Sequence, residues 1–224
     1  MLDASDARRL RECVAGGGVA VFPADTVYGL ACDPLQPQAV ERLYALKGRP
    51  PERPAAVMFF SLAAALDSLP ELAARERAAL QALLPGPLTV LLPNRADRYP
   101  LACRPTAGRS GAARAPAAKE GSRAGGDGVL GLRVPALPER LAALRAVDVP
   151  VLQSSANLSG GPEARRLADV PPALLAGADL VLDGGELPGV ASTVLDLGEY
   201  EARGSWRIVR AGPVGQAELA RALG

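Results

Sequence analysis

Residues 129–161 read "VLGLRVPALPERLAALRAVDVPVLQSSANLSGG", and this stretch decides the fold class. It opens on an apolar run, "VLGLRV" (129–134), with the length and branched content of a buried strand. A helical pattern follows in Ala136–Val147, where Leu137, Leu141, Leu144 and Val147 recur at spacings of four, three and three on one face. A second strand, "VPVLQ" (149–153), then breaks into serines, an asparagine and a glycine pair. Strand, helix and strand in succession predict an α/β domain on a central sheet.

The same alternation extends outward. "GVAVFP" (18–23), "AVMFF" (56–60), "LTVLL" (88–92), "DLVLD" (179–183), "STVLDL" (192–197) and "WRIVR" (206–210) read as strands. Helices are expected over 3–15, 37–47, 70–84 and 213–223. In Pro37–Lys47 the stripe is Val40, Leu43 and Tyr44, with Gly48 as the stop signal. There is no internal repeat, and the 224 residues suit one domain spanning 1–224. Residues 94–128 stand apart. They lack apolar periodicity, are rich in Ala, Gly and Arg, and carry seven basic residues against three acidic. A structureless stretch of that length is expected to be a flexible insertion, with a basic flap over a site or an RNA as the other reading.

Composition removes whole classes of chemistry. Lys+Arg 25 against Asp+Glu 24 leaves no global nucleic-acid signature, since the basic excess is local to the insertion. No run approaches the length of a membrane span, and the N-terminus has no signal-peptide core, so a cytoplasmic protein is expected. Three scattered cysteines argue against a disulfide framework or metal knuckle. The chain has no histidine, which excludes Ser-His-Asp and Cys-His catalysis and His-ligated zinc. No metal-ligating residues are assigned.

Four polar clusters interrupt the apolar pattern. They are "VFPADTVYGLACDP" (21–34), "YALKGRPPERP" (44–54), the stretch following "VPVLQ", and the strand arginines of "GLRVP" (131–135) and "WRIVRAGP" (206–213). Taken singly, each has an ordinary reading: a lysine complementing a helix dipole, a turn, a cross-strand partner. Together, at strand ends of an open sheet, they predict one shared pocket. Its groups are cations (Lys47, Arg49, Arg53, Arg133, Arg210), hydroxyls (Thr26, Ser154, Ser155, Ser159, Ser192, Thr193) and amides (Gln153, Asn157). Forked guanidinium groups, point charges and short hydroxyls without a nucleophile–base pair suit a site that gathers anions and works by positioning and charge neutralisation. No P-loop sequence is present.

The blocks "VFPADTVYGLACDP", "LYALKGRP", "LLPGPLTVLLP", "GLRVP", "LQSSANLSG", "DGG…GVASTVLDL" and "WRIVRAGP", in this order, resemble the YrdC-like, single-domain threonylcarbamoyl-AMP synthases. The resemblance implies a twisted mixed sheet flanked by helices, with a deep concave basic pocket. It implies a nucleotidyltransferase that makes L-threonylcarbamoyladenylate and diphosphate from L-threonine, bicarbonate and ATP. Mg²⁺ would be held mainly through the ATP phosphates. A downstream transferase complex would then modify tRNA, with a weak RNA contact as a further partner. Carried over by motif, Lys47, Arg49, Ser155 and Asn157 match the family's catalytic tetrad. Arg49, Arg53, Gln153, Ser155, Asn157 and Arg210 face ATP, while Thr26, Met58, Arg133 and Ser192 face threonine, Arg133 at its carboxylate.

Two departures keep alternatives open. Ala24 stands where family members commonly have threonine, and Met58 where some have histidine. A carbamoyl-transferring enzyme with another acceptor is therefore a second reading, and a non-catalytic RNA-binding module a third. Lys47→Ala and Arg49→Ala are expected to abolish turnover with little loss of stability.

Overall fold

The apolar runs pair edge to edge into a single ten-stranded mixed sheet in the computed structural model, which describes residues 1–48, 55–104 and 128–224. The strands are β1 (Ala20–Pro23), β2 (Tyr28–Cys32), β3 (Ala56–Met58), β4 (Leu88–Asn94), β5 (Cys103–Arg104), β6 (Gly128–Arg133), β7 (Val151–Ser155), β8 (Leu180–Val181), β9 (Thr193–Asp196) and β10 (Arg207–Arg210). Their order is β10-β9-β4-β6-β3-β7-β2-β1-β8, with β5 paired outside this path to β6. The β1–β8, β3–β6 and β4–β9 pairs are parallel and the rest antiparallel. All eight strand readings correspond to strands.

The helices are α1 (Ala4–Ala15), α2 (Pro37–Lys47), α3 (Leu62–Ser68), α4 (Ala74–Leu83), α5 (Pro172–Gly177), α6 (Tyr200–Arg203) and α7 (Gln216–Leu223). Asp3 caps α1, accepting from the Ser5 and Asp6 amides while Asp6 returns a carboxylate to the Asp3 amide. Pro37 starts α2, and Gly48 ends it with a φ of 61°, the left-handed geometry that glycine adopts without strain. The stretch read as a helix over Ala136–Val147 is instead a 3-10 helix over Glu139–Ala146. Leu137, Leu141, Leu144 and Val147 are all buried, as the pattern required. The spacing of three from Leu141 to Val147 is the repeat of a 3-10 helix, which stacks those side chains directly above one another.

The core is aliphatic, and its few aromatics meet edge to face in the Phe22–Phe60 and Phe59–Tyr99 pairs. Cys13, Cys32 and Cys103 are all free thiols. Residues 105–127 of the insertion lie outside the described residues. Its flanks are built into the fold: Asn94 closes β4, Cys103 and Arg104 pair with Leu130 and Val129, and Arg95 and Arg98 hold Glu76 and Glu71 at 2.7 and 2.9 Å.

Register places a set of side chains on one face of the sheet. Across β6, β3, β7 and β2, Arg133 stands beside Met58, Met58 beside Val151, Gln153 beside Ala31, and Ser155 beside Gly29. Directly opposed residues share a face, and so do alternate residues of a strand. Arg133, Gln153 and Ser155 therefore rise from one surface, floored by Gly29, Ala31 and Ala56. A β-carbon on Gly29 would come within 2.8 Å of the Gln153 amide nitrogen, so glycine is what lets that side chain lie flat there.

Candidate active site

Charged and amide side chains are seldom buried without partners. Here Asp25, Thr26, Lys47, Arg133, Gln153, Ser154, Asn157 and Ser192 are all buried. Their bonds fall into three linked groups.

The first is centred on Arg133, at the end of β6. One terminal nitrogen donates to Asp25 at 2.6 Å and to Thr26 Oγ1 at 3.3 Å, while the other donates to Gln153 Oε1 at 3.1 Å. Asp25 and Thr26 sit in the turn between β1 and β2, where Pro23 pairs with Tyr28. The second oxygen of Asp25 accepts the Ala136 amide at 3.1 Å, which ties the turn to the exit of β6. Burial lowers the Arg133 pKa from its ordinary value. The Asp25 carboxylate opposes that shift, and Arg210 adds to it.

The second group surrounds Lys47, whose place in the last turn of α2 points its ammonium at the end of β7. Lys47 Nζ donates to both the backbone and side-chain oxygens of Ser155 and of Asn157. Ser155 Oγ donates to Asn157 Oδ1 at 2.8 Å, and Asn157 Nδ2 donates to the Gly161 carbonyl at 2.6 Å. The Ser159 amide closes the loop onto the Lys47 carbonyl at 3.0 Å. This cluster converts the polar end of "VPVLQSSANLSGG" into a rigid wall carrying one positive charge.

The third group lies at the start of β9. Arg210, from the edge strand β10, donates to the Ser192 carbonyl at 2.8 Å and to its Oγ at 3.2 Å, and Ser192 Oγ meets Thr89 Oγ1 at 2.9 Å. A Gly189 amide bond to the Thr26 carbonyl, 2.9 Å, joins this group to the first.

The structure thus brings together Thr26, Arg133 and Gln153, then Lys47, Ser155 and Asn157, then Ser192 and Arg210. Arg49 and Arg53 lie outside the described residues. Met58 is fully buried on this same sheet face, between Arg133 and Val151. The clusters do not share one strand end. β7 runs antiparallel to β3 and β6, so Ser155 lies four residues along the strand from the level of Arg133, roughly 13 Å. Gln153, between them on the same face, bridges the distance. Asp25 and Thr89 were not among the sequence-derived site residues. The signal for Asp25 was available, because an arginine inside an apolar strand demands a buried carboxylate.

Comparison with known proteins identifies the family and the fold. The Sua5/YciO/YrdC family model, described as "Telomere recombination", matches residues 12–212. A threonylcarbamoyl-AMP synthase from Xanthomonas campestris pv. campestris (strain B100) is 36% identical over 180 residues, covering 80% of this chain and 84% of that protein. One from Xanthomonas euvesicatoria pv. vesicatoria (strain 85-10) is 36% identical over 187 residues, covering 82% and 88%. The structure of P. abyssi Sua5 complexed with L-threonine superposes with a TM-score of 0.73 at 26% identity, over 100% of this chain and 59% of that one. E. coli YciO shares the fold, with a TM-score of 0.68 at 23% identity over 98% of this chain and 94% of its own. By sequence and by fold alike, the chain belongs to the Sua5/YciO/YrdC family.

Proposed function

We propose that the chain is a threonylcarbamoyl-AMP synthase, joining L-threonine, bicarbonate and ATP into L-threonylcarbamoyladenylate with release of diphosphate. The observation that carries this reading is the strip of Arg133, Gln153 and Ser155 on one sheet face, flanked by Lys47 and Arg210. Every substrate is an anion or bears a carboxylate, and the strip supplies forked and point cations with short hydroxyls between them. In this reading Arg133 holds the threonine carboxylate, with Thr26 and Ser192 beside it. Ser155, Asn157, Gln153 and Arg210 face the nucleotide, together with Arg49 and Arg53.

The amine and bicarbonate form a carbamate with loss of water, an oxygen of the carbamate attacks the α-phosphate, and diphosphate leaves. No proton relay of the histidine kind is available in this chain. Rate enhancement then comes from alignment and from positive charge fixed beforehand around the reacting phosphate. Lys47 serves this by holding Ser155 and Asn157 in place through four oxygen contacts, so little reorganisation is needed when substrate arrives.

Mg²⁺ fits as a phosphate-held ion. Among the described residues no cluster of three carboxylate or thiol groups could cage it, and Asp25 is committed to Arg133. An ion that keeps its waters and binds phosphate oxygens asks for no such cage. When bound it would neutralise charge on the departing diphosphate.

The product then passes to a downstream transferase complex for tRNA modification, in the cytoplasm. Among the described residues no helix is long and apolar enough to cross a membrane. The reading is tested by incubating purified protein with ATP, Mg²⁺ and bicarbonate. Diphosphate is expected only when threonine is added, and release that ignores threonine would count against the reading. A carbamoyl-phosphate-dependent product in the same assay would favour the other carbamoyl-transfer chemistry.

A further inference from the structure

Two buried polar atoms of the described residues have no hydrogen-bond partner: Arg133 Nε and Glu163 Oε2. An orphaned buried donor or acceptor is costly, so a pair of them in one region calls for a cause. The two belong to the same site. Glu163 sits between Gly161, whose carbonyl is held by Asn157 at 2.6 Å, and Ala164, whose carbonyl accepts the Tyr28 amide at 3.0 Å. These tethers stretch its segment from the Lys47 wall to the turn that carries Asp25 and Thr26. The Glu163 carboxylate also stabilises the charge on Arg133, without an ion pair forming between them. Opposite charges that sense each other yet do not touch leave a donor and an acceptor for a third party.

We propose that Glu163 is a substrate-positioning residue, its free carboxylate oxygen receiving the ammonium of an α-amino acid whose carboxylate is held by Arg133. This deepens the synthase reading and rests on it. A zwitterion matches both orphans at once, with guanidinium to carboxylate and carboxylate to ammonium. The arrangement selects an amino acid over a hydroxy acid of the same shape, because a hydroxyl offers the Glu163 oxygen only a neutral donor in place of a charged one.

The test is titration calorimetry on the full chain with L-threonine and with 2,3-dihydroxybutanoate, which carries a hydroxyl in place of the ammonium. Wild-type protein is expected to prefer threonine by about tenfold or more. Glu163→Gln should shrink that preference to about twofold or less, while Glu163→Asp keeps part of it, since the charge is retained on a shorter arm. In the diphosphate assay, Glu163→Gln should raise KM for threonine and leave KM for ATP unchanged. Full discrimination and unchanged threonine KM in a folded Glu163→Gln protein would overturn the role of Glu163 alone. A wild-type protein that ignores threonine would overturn the synthase reading, and this one with it.

Discussion

Lys47 shows how much of a residue's role its sequence position can hide. Its place at the end of an amphipathic stripe is legible from Val40, Leu43 and Tyr44, and its chemistry from the block that follows. Its burial is not: at 2% exposure it is an internal strut, enclosed by oxygens of Ser155 and Asn157. The expectation that Lys47→Ala spares stability is therefore revised. Its removal leaves buried carbonyls unpaired and should cost about 1–3 kcal/mol in denaturant unfolding, beside a loss of turnover of about a hundredfold or more. Arg133 is the more severe case. Arg133→Ala strands the buried Asp25 carboxylate and should destabilise by about 3–5 kcal/mol, read from the unfolding midpoint, with Arg133→Lys recovering part. The site's cations and hydroxyls were visible in the sequence because they break apolar runs. Asp25 and Glu163 were not singled out, because an acidic residue in a turn looks like surface until its partner is known.

Elements with strong periodicity were readable and short ones were not. Helix α1 and helix α2 follow from their apolar stripes, and Gly48 from the need for a left-handed stop. Gly48→Ala meets no atom within 4 Å, so only backbone strain opposes it, about 1 kcal/mol by thermal unfolding. By contrast β2 was hidden inside a polar block, since Tyr28–Cys32 is too small and mixed to announce a strand. It exists because β1 and β7 both offer it an edge. Helices α3, α5 and α6 are too short to show a repeat. The β1–β2 hairpin carries its own pH signature. Burial and the bond to Asp183 push the Tyr28 phenol up to about 12, above the usual value of about 10. A raised folded-state pKa means that the phenol's contribution is intact below about pH 10 and is lost as pH rises towards 12. Between those limits wild-type stability should fall more steeply with pH than that of Tyr28→Phe, as measured by urea unfolding at stepped pH. Equal slopes would place the shift elsewhere.

Taken together, register joins residues of distant strands on one surface, and turns, a helix end and loops bring Thr26, Lys47, Asn157 and Ser192 up to it. Strand order sets Arg133, Gln153 and Ser155 on one face, beside the small residues Gly29, Ala31 and Ala56. That geometry was beyond sequence reading, because pairing partners far apart along the chain leave no local pattern. It also bounds what the insertion can matter to the scaffold. Arg104 already pairs with Val129, so replacing residues 105–127 by a short turn should leave the unfolding free energy within about 0.5 kcal/mol of wild type. The wider deletion of 100–125 would remove β5 and the buried Ala102, and should not be tolerated as well. Beneath all of this lies the claim that fixed cations on one sheet face bring an amino acid, bicarbonate and ATP into reaction. Its most direct check is mass spectrometry of the nucleotide product formed with carbon-labelled bicarbonate. The label is expected in a threonine-bearing adenylate that appears only when threonine and ATP are both present and that vanishes with Lys47→Ala. An unlabelled product, or a labelled one formed without threonine, would contradict it.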